Sequence, residues 1–117
     1  MSEQNLALDY ANSVADGIWE DTRAGHPFGL DTDMSDNADG VMSAYDYLGD
    51  VLEIEYTFNS ERKFLGAIIA ITLGGPSAYI DTRRGILDVH WDGHVSRGLP
   101  DAFVDELHEA CREFAGA

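Results

Sequence analysis

The sequence predicts an α+β domain: a four-stranded antiparallel meander covered by a C-terminal helix and preceded by a helical, acidic N-terminal arm. Three observations predict it. Apolar residues recur every three to four positions at both ends of the chain, at Leu6, Tyr10, Val14, Ile18 and again at Phe103, Leu107, Ala110, Cys111, Phe114. Between them the period switches to two, with Leu52, Ile54, Tyr56 and Phe58 alternating with Glu53, Glu55 and Thr57. The first pattern is that of a helix with one buried stripe, the second that of a half-buried strand. Every break between the strand-like segments is short, which favours hairpins over crossovers.

Residues 3–20 read as a helix. Ser2 is placed to cap it, Glu3 complements the positive end of its dipole, and Gly17 weakens its last turn. Residues 22–32 hold Gly25, Pro27 and Gly29 and read as a loop. A second helix is expected over 36–48, with Val41, Tyr45 and Leu48 on one face, Ser35 as cap and Gly49 as stop. Strands follow at 51–58, 64–73, 77–82 and 86–91. They are separated by Asn59-Ser60-Glu61-Arg62, Gly74-Gly75-Pro76 and Arg83-Arg84-Gly85. The second strand is nearly all apolar, as a central strand should be. The last helix spans 100–114, with Pro100 in its first turn and Asp101, Asp105, Glu109 and Arg112 away from the apolar stripe. That stripe needs a sheet face to bury against. The division read from this pattern is an acidic helical arm over 1–48 and a sheet-plus-helix core over 49–117. Docking of the arm on the sheet is favoured, with a dimer seam as the other use of its stripe.

Charge is the second signal. The 117 residues carry 22 Asp and Glu against 7 Lys and Arg, a formal net charge of -15, and Lys63 is the single lysine. Residues 1–50 hold 11 acids and one base, Arg23, whereas 51–117 hold 11 acids and 6 bases. Such a charge opposes compaction by self-repulsion. Direct nucleic-acid binding needs a basic patch, and Arg62-Lys63 and Arg83-Arg84 are the only adjacent basic pairs. The longest apolar run, 67–73, is far short of a membrane span. Met-Ser-Glu-Gln-Asn lacks the basic and apolar regions of a signal peptide. One cysteine, Cys111, leaves no intramolecular disulfide and no cysteine-based zinc site. The expectation is a soluble cytoplasmic protein.

No segment makes a convincing catalytic or metal constellation. The acidic run from Asp31 to Gly40 resembles a calcium loop, but that loop needs Gly at its sixth position and Glu at its twelfth. Counting from Asp31 these are Asp36 and Met42, and from Asp33 they are Ala38 and Ala44. It reads instead as an acidic lead into a helix N-terminus. His90-Trp91-Asp92-Gly93-His94 offers two imidazoles and a carboxylate, with His108 as a distant third. Asp92-Gly93 is a turn signal, so His94 is expected to point away from His90 and the segment reads as a strand end. Gly74-Gly75-Pro76 lacks the spacing and lysine of a phosphate loop. Ser77 has no neighbouring His, and Cys111 sits on the apolar helix stripe as a small core residue. A non-enzymatic protein without metal or cofactor is therefore expected.

The carboxylates remain. Duplex DNA presents one phosphate per ~1.7 Å of axis with both strands counted. Strand alternation holds Glu53 and Glu55 ~7 Å apart on one face, near the phosphate spacing along one strand. Asp46, Asp50, Asp36 and Asp39 extend the acidic surface from the helix before it. These six are the candidate partner-binding residues, for a protein with a basic DNA-binding groove reached quickly by electrostatic steering. Salt adaptation and plain solubility are the competing explanations of the charge.

The segment 47–91 adds a resemblance. Asp50-Val-Leu-Glu-Ile-Glu-Tyr56, Leu65-Gly66-Ala67, Gly74-Gly75-Pro76-Ser-Ala-Tyr-Ile80-Asp81-Thr82-Arg83 and Trp91 resemble small acidic proteins of phages and mobile elements, among them anti-CRISPR proteins acting on type I effector complexes, in particular type I-C. The resemblance covers about residues 47–114. The chain departs from it at Ser77 and Tyr79, where Asn and Trp are expected nearby, and at Asp88-Val-His-Trp91, where a Gly-Tyr-Trp-Trp-like run is expected. The shared residues are a turn, strand packing and a hydrogen-bonding Asp, so they carry fold more than target. The resemblance implies an anti-CRISPR inhibitor in the cytoplasm of a bacterial host, with antirestriction against a restriction-modification enzyme as the alternative.

Overall fold

The computed structural model describes residues 6–29 and 42–116. Helix α1 (Leu6–Arg23) and the short helix α2 (Ala44–Gly49) precede five strands: β1 (Glu53–Phe58), β2 (Phe64–Thr72), β3 (Ser77–Asp81), β4 (Ile86–His90) and β5 (His94–Gly98). Helix α3 (Asp101–Phe114) closes the chain. The sheet is an antiparallel meander in the order β1-β2-β3-β4-β5. One strand was not anticipated. His94-Val95-Ser96-Arg97-Gly98 offers a single apolar residue, so no alternation marks it, yet it pairs with β4 from Ile86↔Gly98 to His90↔His94.

Two of the turns carry their own stabilising side chain. Asn59 Oδ1 accepts from the backbone N–H groups of Glu61 and Lys63, both at 2.9 Å, and Arg62 takes a positive φ of 66°. Asp81 Oδ1 accepts from the N–H of Arg83 at 3.0 Å and of Arg84 at 3.1 Å, holding the β3–β4 turn that closes at Gly85. Such side-chain turns explain why Asn and Asp stand where the chain reverses.

All the helices lie on one side of the sheet. α3 packs over β2, and α1 over β4 and β5. The covered face is Ala67 and Ile69 of β2, Ala78 and Ile80 of β3, and Leu87 and Val89 of β4, all essentially inaccessible. Against them lie Phe103, Val104, Leu107, Ala110 and Cys111 of α3. Phe103 is the joint of the helical layer, with Phe28 at 4.9 Å and Tyr47 at 5.7 Å between ring centroids.

Helix α1 buries Ala7, Ala11, Ala15 and Ile18 rather than the expected Leu6-Tyr10-Val14-Ile18 row. Leu6, Tyr10 and Val14 flank the contact half-buried. The stripe is thus rotated by one residue, ~100° on a helix. Small alanines bring the helix axis close to the sheet, and the larger neighbours pack around its sides; Tyr10 meets Trp91 edge-on at 6.2 Å. Helix α2 starts at Ala44, later than the predicted 36. Ser43 caps it in a reciprocal box, accepting from Asp46 N–H at 3.1 Å while Asp46 Oδ2 accepts from Ser43 N–H at 2.9 Å. The predicted cap Ser35 and the segment 36–41 lie outside the described residues. Phe114, assigned to the buried stripe of α3, is 52% exposed and rests on Tyr45 at 5.6 Å, because the sheet does not extend under the last turn.

Candidate functional site

Every described helix lies on one side, and no described element covers the other face of the sheet. Its composition follows from register. One row crosses all five strands as Glu53, Ala70, Tyr79, Asp88 and Ser96. A neighbouring row runs Glu55, Ile68, Asp81, Ile86 and Gly98, and a third joins Ser77, His90 and His94. The face is therefore graded: carboxylates on the β1 side, an apolar middle, and a polar group at the β4–β5 end.

At the acidic end, Glu53 and Glu55 are both exposed and line a recess of ≈ 150 Å³ with Ile68, Ala70, Leu73 and Tyr79. The predicted alternation thus sets both carboxylates on one outward surface, beside a strip of apolar side chains. The other expected contributors are placed differently. Asp46 is half-buried and its carboxylate is engaged in capping α2. Asp50 is exposed at the C-terminal end of α2 and borders a different recess with Phe28, Met42, Tyr47, Val51 and Ile71. Asp36 and Asp39 lie outside the described residues, as does the acidic run from Asp31 to Gly40.

At the polar end, His90 and His94 do not diverge as expected. They are cross-strand partners at the mouth of the β4–β5 hairpin, and their rings stack at 4.4 Å with 6° between planes. The carboxylate that joins them is Asp88, two residues earlier on the same face, whereas Asp92 sits exposed in the turn at φ 53°. His94 Nε2 lies 3.1 Å from Asp88 Oδ1, and Ser96 Oγ donates to that same oxygen. Burial works to raise the Asp88 pKa, but the hydrogen bonds from Ser96 and His94 and the charges of His94 and Arg84 outweigh it. The carboxyl is held below its ordinary value. The pairing of 88 with 96 and 90 with 94 was legible in principle, because a hairpin centred on Trp91-Asp92-Gly93 imposes it once the fifth strand is drawn.

This Asp-His-Ser group lacks the geometry of a nucleophilic relay. In a relay the imidazole takes the hydroxyl proton on one nitrogen and is oriented by the carboxylate through the other. Here Ser96 Oγ, 3.4 Å away, and Asp88 Oδ1 both face Nε2 of His94. Among the described residues no three His, Cys, Asp or Glu side chains converge as metal ligands. No described helix is long and apolar enough to cross a membrane. Cys111 is buried in the α3–sheet core, which pushes its thiol up to about 11 and leaves it unreactive.

Comparison with known proteins returns no relative: no family model, curated protein or solved structure matches this chain.

Proposed function

We propose that this protein is a non-enzymatic inhibitor of a host-defence complex, an acidic DNA mimic that occupies the DNA-binding groove of a type I CRISPR effector. The resemblance of residues 47–114 points to type I-C. The observation that carries the reading is the pair Glu53 and Glu55, exposed together on a sheet face that no described element covers, in a chain of net charge -15. A strand backbone spaces such carboxylates at ~7 Å without flexible linkers. The face is held from behind by the packed core of β2, β3 and β4. A groove lined by Lys and Arg would meet fixed negative charge where it expects phosphates, and steering would speed the encounter. The setting is the cytoplasm of a bacterium carrying a phage or mobile element.

A gel-shift of target DNA by purified type I-C effector, with and without this protein at ~50 and ~200 mM salt, tests the reading. The expected result is loss of the shifted band, co-migration of the protein with the effector, and weaker inhibition at the higher salt. Glu53→Lys combined with Glu55→Lys should abolish inhibition while the protein stays folded. An unchanged band without co-migration removes this effector as target and favours a restriction-modification enzyme, for which the same assay applies.

A further inference from the structure

A sheet ends in two strands whose outer backbone groups lack a ladder partner. Folded proteins ordinarily blunt such edges with charged side chains, Lys above all, with Pro, covering elements or bulges, since an open edge templates pairing with another chain; the charges on β1 are both negative and so leave the edge open to a basic strand. The two ends of this sheet differ. β5 is blunted: α1 packs on it, Trp19 Nε1 donates to the Gly98 carbonyl at 3.0 Å, and Arg97 is tied to Asn12 and to Asp16. β1 pairs with β2 on one side, and among the described residues no strand meets its other side. Its residues Glu53–Phe58 include no Lys, Pro or Gly. Its one irregularity is a register shift at the last step, between Thr57 and Phe58.

The side chains of this edge are sorted by face. Glu53 and Glu55 stand on the open side of the sheet. On the helix side, Tyr56 stands opposite the buried Ala67, and Phe58 meets Phe64 edge-on at 5.8 Å. Tyr56 and Phe58 nevertheless remain 37% and 42% exposed, and Leu52 just before the strand is 60% exposed. An open ladder is thus combined with an apolar flank and an acidic flank.

We propose that the outer edge of β1 accepts an extended, basic segment of a partner protein, added as a sixth strand. Main-chain hydrogen bonds would supply the grip, and alternate side chains the selectivity. Residues of the added strand that face the helix side meet Tyr56 and Phe58 and are apolar. Those facing the open side meet Glu53 and Glu55 and are Lys or Arg. The fitting segment is therefore one of about five residues in which basic and apolar positions alternate. A second copy of this chain fits less well, because antiparallel pairing of β1 with itself centred on Ile54 or Glu55 sets glutamate opposite glutamate, and like charges directly opposite are destabilising. This deepens the mimicry reading by stating how a basic partner is gripped. It stands on edge geometry, so peptide binding can succeed where the effector assay fails, and the reverse.

The experiment is a titration of the full chain with two synthetic seven-residue peptides, one alternating Lys and Val, the other Glu and Val, followed by backbone amide shifts and hydrogen exchange. The Lys peptide should shift and protect amides of Glu53–Phe58. At low salt it should bind roughly tenfold tighter than the Glu peptide, the effect of two cross-strand charge pairs changing sign. The Glu53→Lys, Glu55→Lys variant should invert that preference. Shifts centred on the acidic surfaces of α1 or α3, or equal binding of the two peptides to the wild-type chain, would overturn the proposal. Failure of the preference to invert in a folded variant would do the same. A concentration-dependent dimer that protects β1 without peptide would assign the edge to a second copy instead.

Discussion

Replacing Thr82 by Val keeps the shape of a buried residue and deletes one hydroxyl, and the structure sets what that hydroxyl is worth. The β2–β3 ladder runs in register to Ile68↔Asp81. At the next step Thr82 N–H donates to the Ala67 carbonyl at 3.0 Å, but the Ala67 N–H is met by Thr82 Oγ1, also at 3.0 Å. The same oxygen lies 3.0 Å from Nδ1 of His108 on α3. With Oγ1 accepting from Ala67, its own proton is available for Nδ1, so one hydroxyl completes the ladder and ties sheet to helix. Ala67 is 1% exposed, so no water replaces the lost acceptor. Orphaning that N–H costs about 1–3 kcal/mol, and the His108 bond adds about 0.5–1.5 kcal/mol. Thr82→Val should therefore lose roughly 2–4 kcal/mol. At an unfolding entropy of about 0.25 kcal/mol/K for a chain of this length, Tm falls by about 8–16 °C. Thr82→Ser keeps both bonds and should cost under about 1 kcal/mol, the value of one methyl group. Urea and thermal unfolding followed by circular dichroism measure both. A Thr82→Val protein within about 0.5 kcal/mol of wild type would show that this hydroxyl does not complete the ladder. So would a Thr82→Ser protein as unstable as Thr82→Val, because the methyl group would then be the operative part.

Gly66→Ala should destabilise by about 1–3 kcal/mol, since the new Cβ would stand 2.9 Å from Arg83 Cβ and 3.3 Å from Thr82 Oγ1. Gly17→Ala, in α1 with open space around it, should stabilise by about 0.5–1 kcal/mol; equal effects from the two in denaturant titrations would contradict the packing described. Phe103→Ala, which removes the ring shared by Phe28 and Tyr47, should cost about 3–5 kcal/mol and flatten the near-ultraviolet dichroism. Cys111 gives a pH signature: its thiol ionises near 9.0 when unfolded but only at about 11 when folded, because burial disfavours the thiolate. Between those values the unfolded chain binds fewer protons, so stability falls as pH rises, by up to about 2–3 kcal/mol, and levels off above the folded value. Comparing wild type with Cys111→Ala from pH 8 to 11 isolates this part; identical pH slopes would mean that the thiol is not buried in solution.

Elements whose residues carry a local signal are legible from the chain alone. Asn59 and Asp81 bond to backbone N–H groups within four residues, so the two turns they hold were legible without knowing what lies beside them. The alternation of Glu53 to Phe58 placed both glutamates on one face. The stripe of α3 from Phe103 to Cys111 marked the buried side of that helix. The surplus of carboxylates is likewise a property of composition that folding does not alter.

Other features depend on a neighbour distant in the chain. β5 exists because β4 offers it a ladder, not because His94-Val95-Ser96-Arg97-Gly98 has a strand pattern of its own. α1 buries its alanines because close approach to β4 and β5 favours small side chains, a preference that a count of large apolar residues inverts. Asp46, three residues after Ser43, is drawn into the helix cap through its bond to Ser43 N–H, a role that depends on where the helix starts. Among the described residues, the open face and the unpaired edge of β1 follow from which side the helices pack on and where the meander ends. Both are set by long-range packing, in which a residue's role is fixed by what lies opposite it.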